Sequence, residues 1–184
     1  MERFDQLREV QTASREIFDG RILHLYEDTV TLPNGRPAFR EVIRHVGAVC
    51  VIPVTADGNV VVERQFRYPI DAVMTEIPAG KLDSRQEPPL EAAKRELREE
   101  TGITADTWRE LGVFYPAAAY CDEKITMYLA VDLHFGQRQL DEDEFLNVEL
   151  IPLKDLADAV MAGQIPDAKT QLAVLKAAKL LGIH

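Results

Sequence analysis

Residues 89–101 constrain the fold of this chain more than any other segment. Leu90, Ala93 and Leu97 recur there with the period of an α-helix, and Gly102 follows where helices commonly end. Short apolar runs with turn residues between them precede and follow this helix. Strands that alternate with crossover helices predict an α/β layered domain.

The predicted strands and helices cover most of the chain. Strands are expected at residues 27–32, 38–45, 48–55, 59–65, 74–79, 108–115, 124–133 and 147–151. Further amphipathic helices are expected at residues 153–162 and 167–181. The Asp57-Gly58 pair favours a tight hairpin turn between two of the strands.

The length of 184 residues suits one domain with a full hydrophobic core and a small appendage. Residues 1–46 are polar and alternating, with turn residues between the runs, and predict a small antiparallel sheet. We therefore expect an N-terminal β segment at residues 1–46 and the main domain at residues 47–184.

Charge and composition exclude several functions. The formal net charge of −10 opposes binding to nucleic acid, and an anionic substrate would need a metal ion or arginines to overcome it. No apolar run is long enough to span a membrane, and residues 1–11 are charged where a signal peptide is apolar. We expect a cytoplasmic protein with no membrane partner.

Three glutamates of the predicted helix lie on one face. Glu96, Glu99 and Glu100 are spaced so that, at about 100° per residue, their carboxylates project from one side of a single turn. Like charges this close repel one another unless a divalent cation lies between them. The pattern fits a metal site, and equally fits a solvated acidic helix face.

The residues around these glutamates resemble the signature of the Nudix hydrolase family. The positions that carry the resemblance are Gly80, Glu87, Arg95, Glu96, Leu97, Glu99, Glu100, Gly102 and Ile103. One departure lies at residues 81–86, a loop one residue longer than the family usually has. We expect the extra residue to bulge the loop without changing the helix register.

The resemblance implies a Nudix-type α/β/α sandwich with a mixed sheet, beside the small N-terminal antiparallel β-sheet. It implies metal ligands at Glu96, Glu99 and Glu100, together with the backbone carbonyl of Ala79. Oxygen ligands of this kind suit Mg²⁺ or Mn²⁺. Arg95 would orient a glutamate through charge-assisted hydrogen bonds.

Stretches outside the signature resemble the ADP-ribose pyrophosphatase branch of the family; they are residues 32–35, 62–67, 76–80, 140–145 and 167–170. The resemblance implies that Arg67 approaches the substrate phosphates, that Glu142 is the general base and that Glu144 is a further metal ligand. It places Glu123 near the metals and phosphates. The plain alternatives are a surface arginine and an exposed acidic loop.

In this branch the N-terminal sheet crosses to a second subunit and contributes to the adenosine pocket. The resemblance therefore implies a two-fold homodimer. Phe18, Arg21 and Arg40 are candidates for that pocket, although each could equally be a structural or surface residue.

The implied reaction is hydrolysis of ADP-ribose to AMP and ribose 5-phosphate. The branch commonly has a Ser-Pro-Gly-aromatic stretch where this chain has Ala117-Ala118-Ala119-Tyr120, so another nucleoside diphosphate sugar is an alternative substrate. A third possibility is a sensor that binds a nucleotide without cleaving it. The complete set of glutamates favours the enzyme.

Overall fold

The structure, a computed structural model, describes residues 6–138 and 145–183. The strands are β1 (Val10–Asp19), β2 (His24–Thr31), β3 (Pro37–Ile43), β4 (Ala48–Pro53), β5 (Asn59–Arg67), β6 (Ala72–Glu76), β7 (Ala79–Lys81), β8 (Ile103–Phe114), β9 (Ile125–Phe135) and β10 (Leu146–Pro152). The helices are α1 (Pro89–Thr101), α2 (Leu153–Met161) and α3 (Ala168–Leu181). A short 3-10 turn, Tyr68–Ile70, joins β5 to β6.

The strands form three sheets. The central sheet has the order β7-β4-β9-β8, and only its β4–β9 pair is parallel. A second, antiparallel sheet has the order β10-β5-β6. The third sheet, β1-β2-β3, is antiparallel and lies at the N-terminus. The predicted mixed sheet and small N-terminal sheet are both confirmed.

Two hydrophobic cores lie on opposite faces of β4, because successive side chains of a strand point to opposite faces. Cys50 and Ile52 belong to the core that α2 and α3 cover. Val49 and Val51 belong to the core that α1 covers through Leu97. Helices on both faces of a mixed sheet give the predicted α/β/α layers.

The single strand predicted at residues 74–79 was wrong, because β6 ends at Glu76 and β7 belongs to another sheet. Ile77 and Pro78 separate the two. Proline has no N–H group to donate, and the N–H of Ile77 donates to the Thr170 hydroxyl at 2.9 Å. The chain therefore leaves one sheet and enters the next within two residues.

The turn at Asp57-Gly58 forms, but the two strands beside it do not pair as a hairpin. Only Val54 and Val60 form a bridge, after which β4 and β5 enter different sheets. The strand predicted at residues 108–115 begins earlier, directly after α1. Gly102 ends that helix with a φ of 73°, which favours glycine.

No helix within residues 6–138 and 145–183 is long and apolar enough to cross a membrane.

Candidate active site

Helix α1 carries the glutamates on the edge that faces β7. Pro88 precedes the helix without a side-chain cap, and Pro89 occupies the first position, where its missing N–H costs nothing. Leu97, on the adjacent face of the helix, is fully buried in the core. The side chain of Glu96 is 13% exposed, and Glu100 is 6% exposed.

Arg95 holds two of the glutamates in place. Its Nη1 donates to Glu96 at 2.7 Å and to Glu99 at 3.3 Å, and its Nε donates to Glu87 at 3.3 Å. Burial alone would lower the pKa of Arg95, but the carboxylates of Glu87 and Glu96 raise it above its ordinary value. Arg95 is therefore a permanent cation that is hydrogen-bonded to Glu87, Glu96 and Glu99.

The loop after β7, which is one residue longer than is usual in the family, is held by hydrogen bonds at both ends. The backbone N–H of Asp83 donates to Glu87 at 2.6 Å, and the carbonyl of Lys81 accepts a hydrogen bond from Arg95 at 3.1 Å. Burial would raise the pKa of Glu87, yet the hydrogen bond from the Asp83 N–H, the largest influence, and those from Arg95 lower it. The carboxylate therefore stays charged and holds both ends of the loop.

Strand β7 lies directly against the glutamate face, the side of α1 that carries Glu96, Glu99 and Glu100. The N–H of Ala79 donates to Glu100 at 3.1 Å. A Cβ on Gly80 would lie 2.0 Å from Cδ of Glu96, so this carboxylate occupies the space that a side chain at position 80 would take. The longer loop therefore leaves Ala79 and Gly80 beside the helix.

The residues of this face fit a divalent metal ion. Glu96, Glu99 and Glu100 offer hard oxygen donors, and the glycine at position 80 leaves room for a carboxylate at the strand. Among the described residues, however, no three acidic, histidine or cysteine side chains already surround one point. Arg95 holds carboxylates that a bound cation would share or take over.

A cavity of about 330 Å³ opens beside this face. Ala79 and Gly80 line it on the glutamate side. Its charged lining residues are Arg67, Lys81, Glu123, Asp167 and Lys169. The structure thus brings the predicted residues Ala79, Arg67 and Glu123 to one cavity.

Arg67 is held by a buried carboxylate that the sequence analysis did not single out. Its Nε and Nη2 donate to Glu76 at 2.7 and 2.8 Å, and Lys169 donates to the same carboxylate. Burial would raise the pKa of Glu76, but the hydrogen bonds from Arg67 and the charge of Lys169 lower it. The one available signal was that Glu76 and residues 167–170 lie in stretches that resemble the pyrophosphatase branch.

Glu123 lies between the cavity and the start of the main domain. Its Oε1 is 3.8 Å from Nδ1 of His45. The backbone N–H of His45 donates to Asp122 at 2.6 Å, and Arg85 donates to the His45 carbonyl at 3.0 Å. Glu123 therefore lies in a loop that is hydrogen-bonded to His45, at the boundary between the N-terminal segment and the main domain.

The three N-terminal candidates do not line this cavity. Phe18 is 56% exposed, and Arg21 is also exposed. Arg40 donates two hydrogen bonds to Glu9, at 2.9 and 2.5 Å, which raise the pKa of its guanidinium. Phe18 lies in β1, Arg40 lies in β3, and Arg21 lies in the turn between β1 and β2.

Glu142, the predicted general base, and Glu144, the predicted further metal ligand, lie outside the described residues.

Family descriptions match the chain in two adjoining parts. Residues 44–172 match the NUDIX domain, and residues 10–43 match the nucleoside diphosphate sugar hydrolase N-terminal domain.

Several proteins are similar along most of the chain. An ADP-ribose pyrophosphatase of Bacillus subtilis is 41% identical over 91% of each chain. A methanol dehydrogenase activator of Bacillus methanolicus is 38% identical over 88% of each. A solved structure described as an ADP compounds hydrolase superposes with a TM-score of 0.84 over 95% of each chain, at 22% identity, and so supports the fold. With the signature on α1, these likenesses show that the chain is an enzyme of the Nudix hydrolase family.

Proposed function

We propose that this enzyme hydrolyses the diphosphate bond of ADP-ribose and releases AMP and ribose 5-phosphate. The observation that carries the proposal is the cavity between the glutamate face, at Gly80, and the cation Arg67. The likeness to the Bacillus subtilis protein, which is named an ADP-ribose pyrophosphatase, supports this substrate. Two unpaired cysteines support a reducing compartment, the cytoplasm.

The metal would be Mg²⁺ or Mn²⁺. Glu96, Glu99, Glu100 and the carbonyl of Ala79 would hold it, with Glu144 as a further ligand. When bound, such ions polarise phosphoryl oxygens and lower the pKa of an attacking water. Their hard character matches the carboxylate and carbonyl oxygens of this face.

The protein side chains would divide the remaining work. Arg95 orients Glu96 and Glu99 by hydrogen bonds. Arg67 would bind the substrate phosphates, and Glu123, which also lines the cavity, would lie near the phosphates and the metal. Glu142 would accept the proton of the attacking water as general base.

We also propose a two-fold homodimer formed through the N-terminal sheet. Every residue of β1 is exposed, although the strand is paired along one edge. Several exposed apolar residues lie in or beside this sheet: Val10, Ile17, Phe18, Ile22, Leu23 and Phe39. Exposed apolar residues in this number favour association, which would bring Phe18, Arg21 and Arg40 to the adenosine pocket of the partner.

A second candidate substrate is another nucleoside diphosphate sugar. The description matched by residues 10–43 names this wider substrate class. Residues 117–120 carry Ala-Ala-Ala-Tyr in place of the branch's usual stretch, and Tyr120 is 56% exposed there. This loop pairs with the N-terminal segment through Ile43 and is well placed to influence the choice of sugar or base.

A hydrolysis screen tests these proposals. Purified protein with Mg²⁺ or Mn²⁺ is incubated with ADP-ribose and several nucleoside diphosphate sugars, and products are resolved by chromatography. We expect AMP and ribose 5-phosphate from ADP-ribose, and no turnover in excess EDTA. Faster turnover of a different sugar nucleotide would select the second candidate, and activity that survives chelation would contradict the metal site.

A further inference from the structure

One buried carboxylate holds two cations at the wall of the cavity. Glu76, whose side chain is 4% exposed, accepts the bidentate hydrogen bonds of Arg67 and a hydrogen bond from Lys169. Both cations line the cavity, while Glu76 lies behind them. The three residues form a bracket in which a single anion fixes the positions of two positive groups.

The first turn of α3 fixes the position of Lys169. The Oδ2 atom of Asp167 lies 3.0 Å from Nζ of Lys169 and accepts hydrogen bonds from the N–H and hydroxyl of Thr170. Thr170 is fully buried and accepts a hydrogen bond from the N–H of Ile77. Lys169, with a side chain 12% exposed, is therefore held far more tightly than a surface lysine.

Lys169 and Arg67 each have N–H donors that are not used in hydrogen bonds within the bracket. An ammonium group has three N–H bonds, and Glu76 and Asp167 account for two of those of Lys169. A guanidinium has five, and Glu76 accounts for two of those of Arg67. Each cation can therefore donate to a group inside the cavity without leaving Glu76.

The charges of the wall favour an anion only when both cations are present. Arg67 and Lys169 balance Glu76 and Asp167, and the N-terminus of α3 adds a partial positive charge. Without Lys169, the remaining residues Arg67, Glu76 and Asp167 would carry a net negative charge. Glu123 also lines the cavity, and the whole chain has a net charge of −10. A substrate diphosphate would then be repelled.

We propose that Lys169 binds an anionic phosphate oxygen of the substrate beside Arg67, so that the two cations clamp the diphosphate and Glu76 positions both. The inference rests on the proposed diphosphate substrate and adds a substrate-binding residue to that site. A purely structural role for Lys169 is the competing explanation. It predicts a loss of thermal stability without a specific change in the salt dependence of substrate binding.

The test compares Lys169→Met with Lys169→Arg, which keeps the charge, and with Lys179→Met, a lysine on the same helix outside the cavity. Binding of ADP-ribose is measured by calorimetry in EDTA, which prevents turnover, at low and high KCl. For Lys169→Met we expect about tenfold weaker binding at low salt and a flatter dependence on KCl, because one screened ion contact is lost. Lys169→Arg and Lys179→Met should stay within about threefold of the unsubstituted protein.

Steady-state kinetics with Mg²⁺ complete the test. For Lys169→Met we expect the KM to rise about tenfold and the kcat to change by less than about threefold. A contact that is equally strong in the ground state and the transition state contributes to substrate binding but does not change kcat. Should Lys169→Met fail to fold, Lys169→Gln keeps a donor for Glu76 without the charge and should show the same weaker binding.

Unchanged affinity in a folded Lys169→Met or Lys169→Gln protein would overturn the clamp. Equal losses in Lys169→Arg and Lys169→Met would also overturn it, because charge would then not be the cause. If the unsubstituted protein binds ADP-ribose in a Lys169-dependent manner but hydrolyses nothing in the screen, the proposed reaction fails and the clamp stands.

Discussion

Gly80 and Glu96 occupy adjoining space with no room for a methyl group between them. A Cβ on Gly80 would lie 2.0 Å from Cδ and 2.2 Å from both carboxylate oxygens of Glu96. The position of Glu96, the first of the three α1 glutamates, therefore depends on the absence of a side chain at position 80 of β7. Gly80 lies on β7 and Glu96 lies on α1, and residues 82–88 connect these two elements.

Gly80→Ala should displace the Glu96 carboxylate and lower kcat by at least about tenfold, with a stability loss of about 1–3 kcal/mol from the forced contact. Kinetics at saturating Mg²⁺ and a denaturant titration measure the two effects. Gly35→Ala is the control, since it has open space around it and costs only the strain of its φ of 81°. Normal turnover by Gly80→Ala would show that Glu96 tolerates displacement.

Arg95→Lys should weaken metal binding, because a lysine cannot reproduce the planar fork that reaches Glu87, Glu96 and Glu99. We expect the Mg²⁺ concentration for half-maximal activity to rise about 10- to 100-fold, as when an orienting partner of metal ligands is lost. Lys94→Arg, at a residue on the same helix that pairs with Glu91 and not with the three glutamates, should leave the Mg²⁺ titration unchanged. An unaltered titration for Arg95→Lys would remove its orienting role.

The signature predicted the local arrangement of the site better than its surroundings. Arg95, Glu96, Glu99 and Glu100 lie within six consecutive residues of one helix, so their spacing alone places them close together. Glu76 and Lys169 are distant in sequence and meet only when α3 packs beside β6. The hydrophobic periodicity of a segment and the spacing of residues within a motif do not predict a contact between distant segments.

The strand predictions failed for a related reason. The short run at residues 74–79, Met-Thr-Glu-Ile-Pro-Ala, predicts a strand, but it does not show which sheet each residue joins. Ile77 leaves its sheet because Thr170 offers its N–H a different acceptor. This choice is made by tertiary packing, as is the separation of β4 from β5.

Glu76→Gln should lower the free energy of unfolding by about 2 kcal/mol at pH 7, as expected for hydrogen bonds between charged groups. The pKa of Glu76 is lowered in the folded protein, so its stabilisation is present above the unfolded pKa of about 4.3 and is lost as the pH falls through the folded value. Urea titrations from pH 7 to pH 3 should show the difference between the two proteins shrinking below about pH 4. A difference that is constant with pH would mean that the charge of Glu76 contributes nothing.

Removal of residues 1–36 should give a monomer that binds ADP-ribose weakly but keeps the glutamate face. This boundary retains β3 and the hydrogen bond from Ile43 to the Tyr120 carbonyl. Light scattering reports the mass, and calorimetry in EDTA reports the affinity for ADP-ribose.

Point variants make the same prediction with less disturbance. Phe39→Ser should weaken the dimer by on the order of tenfold or more, because Phe39 is 69% exposed in the chain and would be buried by the partner. Met161→Ser, which removes an equally exposed apolar residue from α2, is the control. A full-length protein that is monomeric at micromolar concentration would contradict the dimer.

The hydrogen bond between the Ile77 N–H and Thr170 joins the C-terminal helix to the residues that lead into β7. Amide hydrogens exchange with solvent when the segment that protects them opens, and segments that share a buried contact open together. Fraying of the first turn of α3 would therefore loosen the backbone at Ala79 before it reached the far end of the central sheet. The rigidity of the glutamate face is thus set partly by a helix that contributes none of its three glutamates.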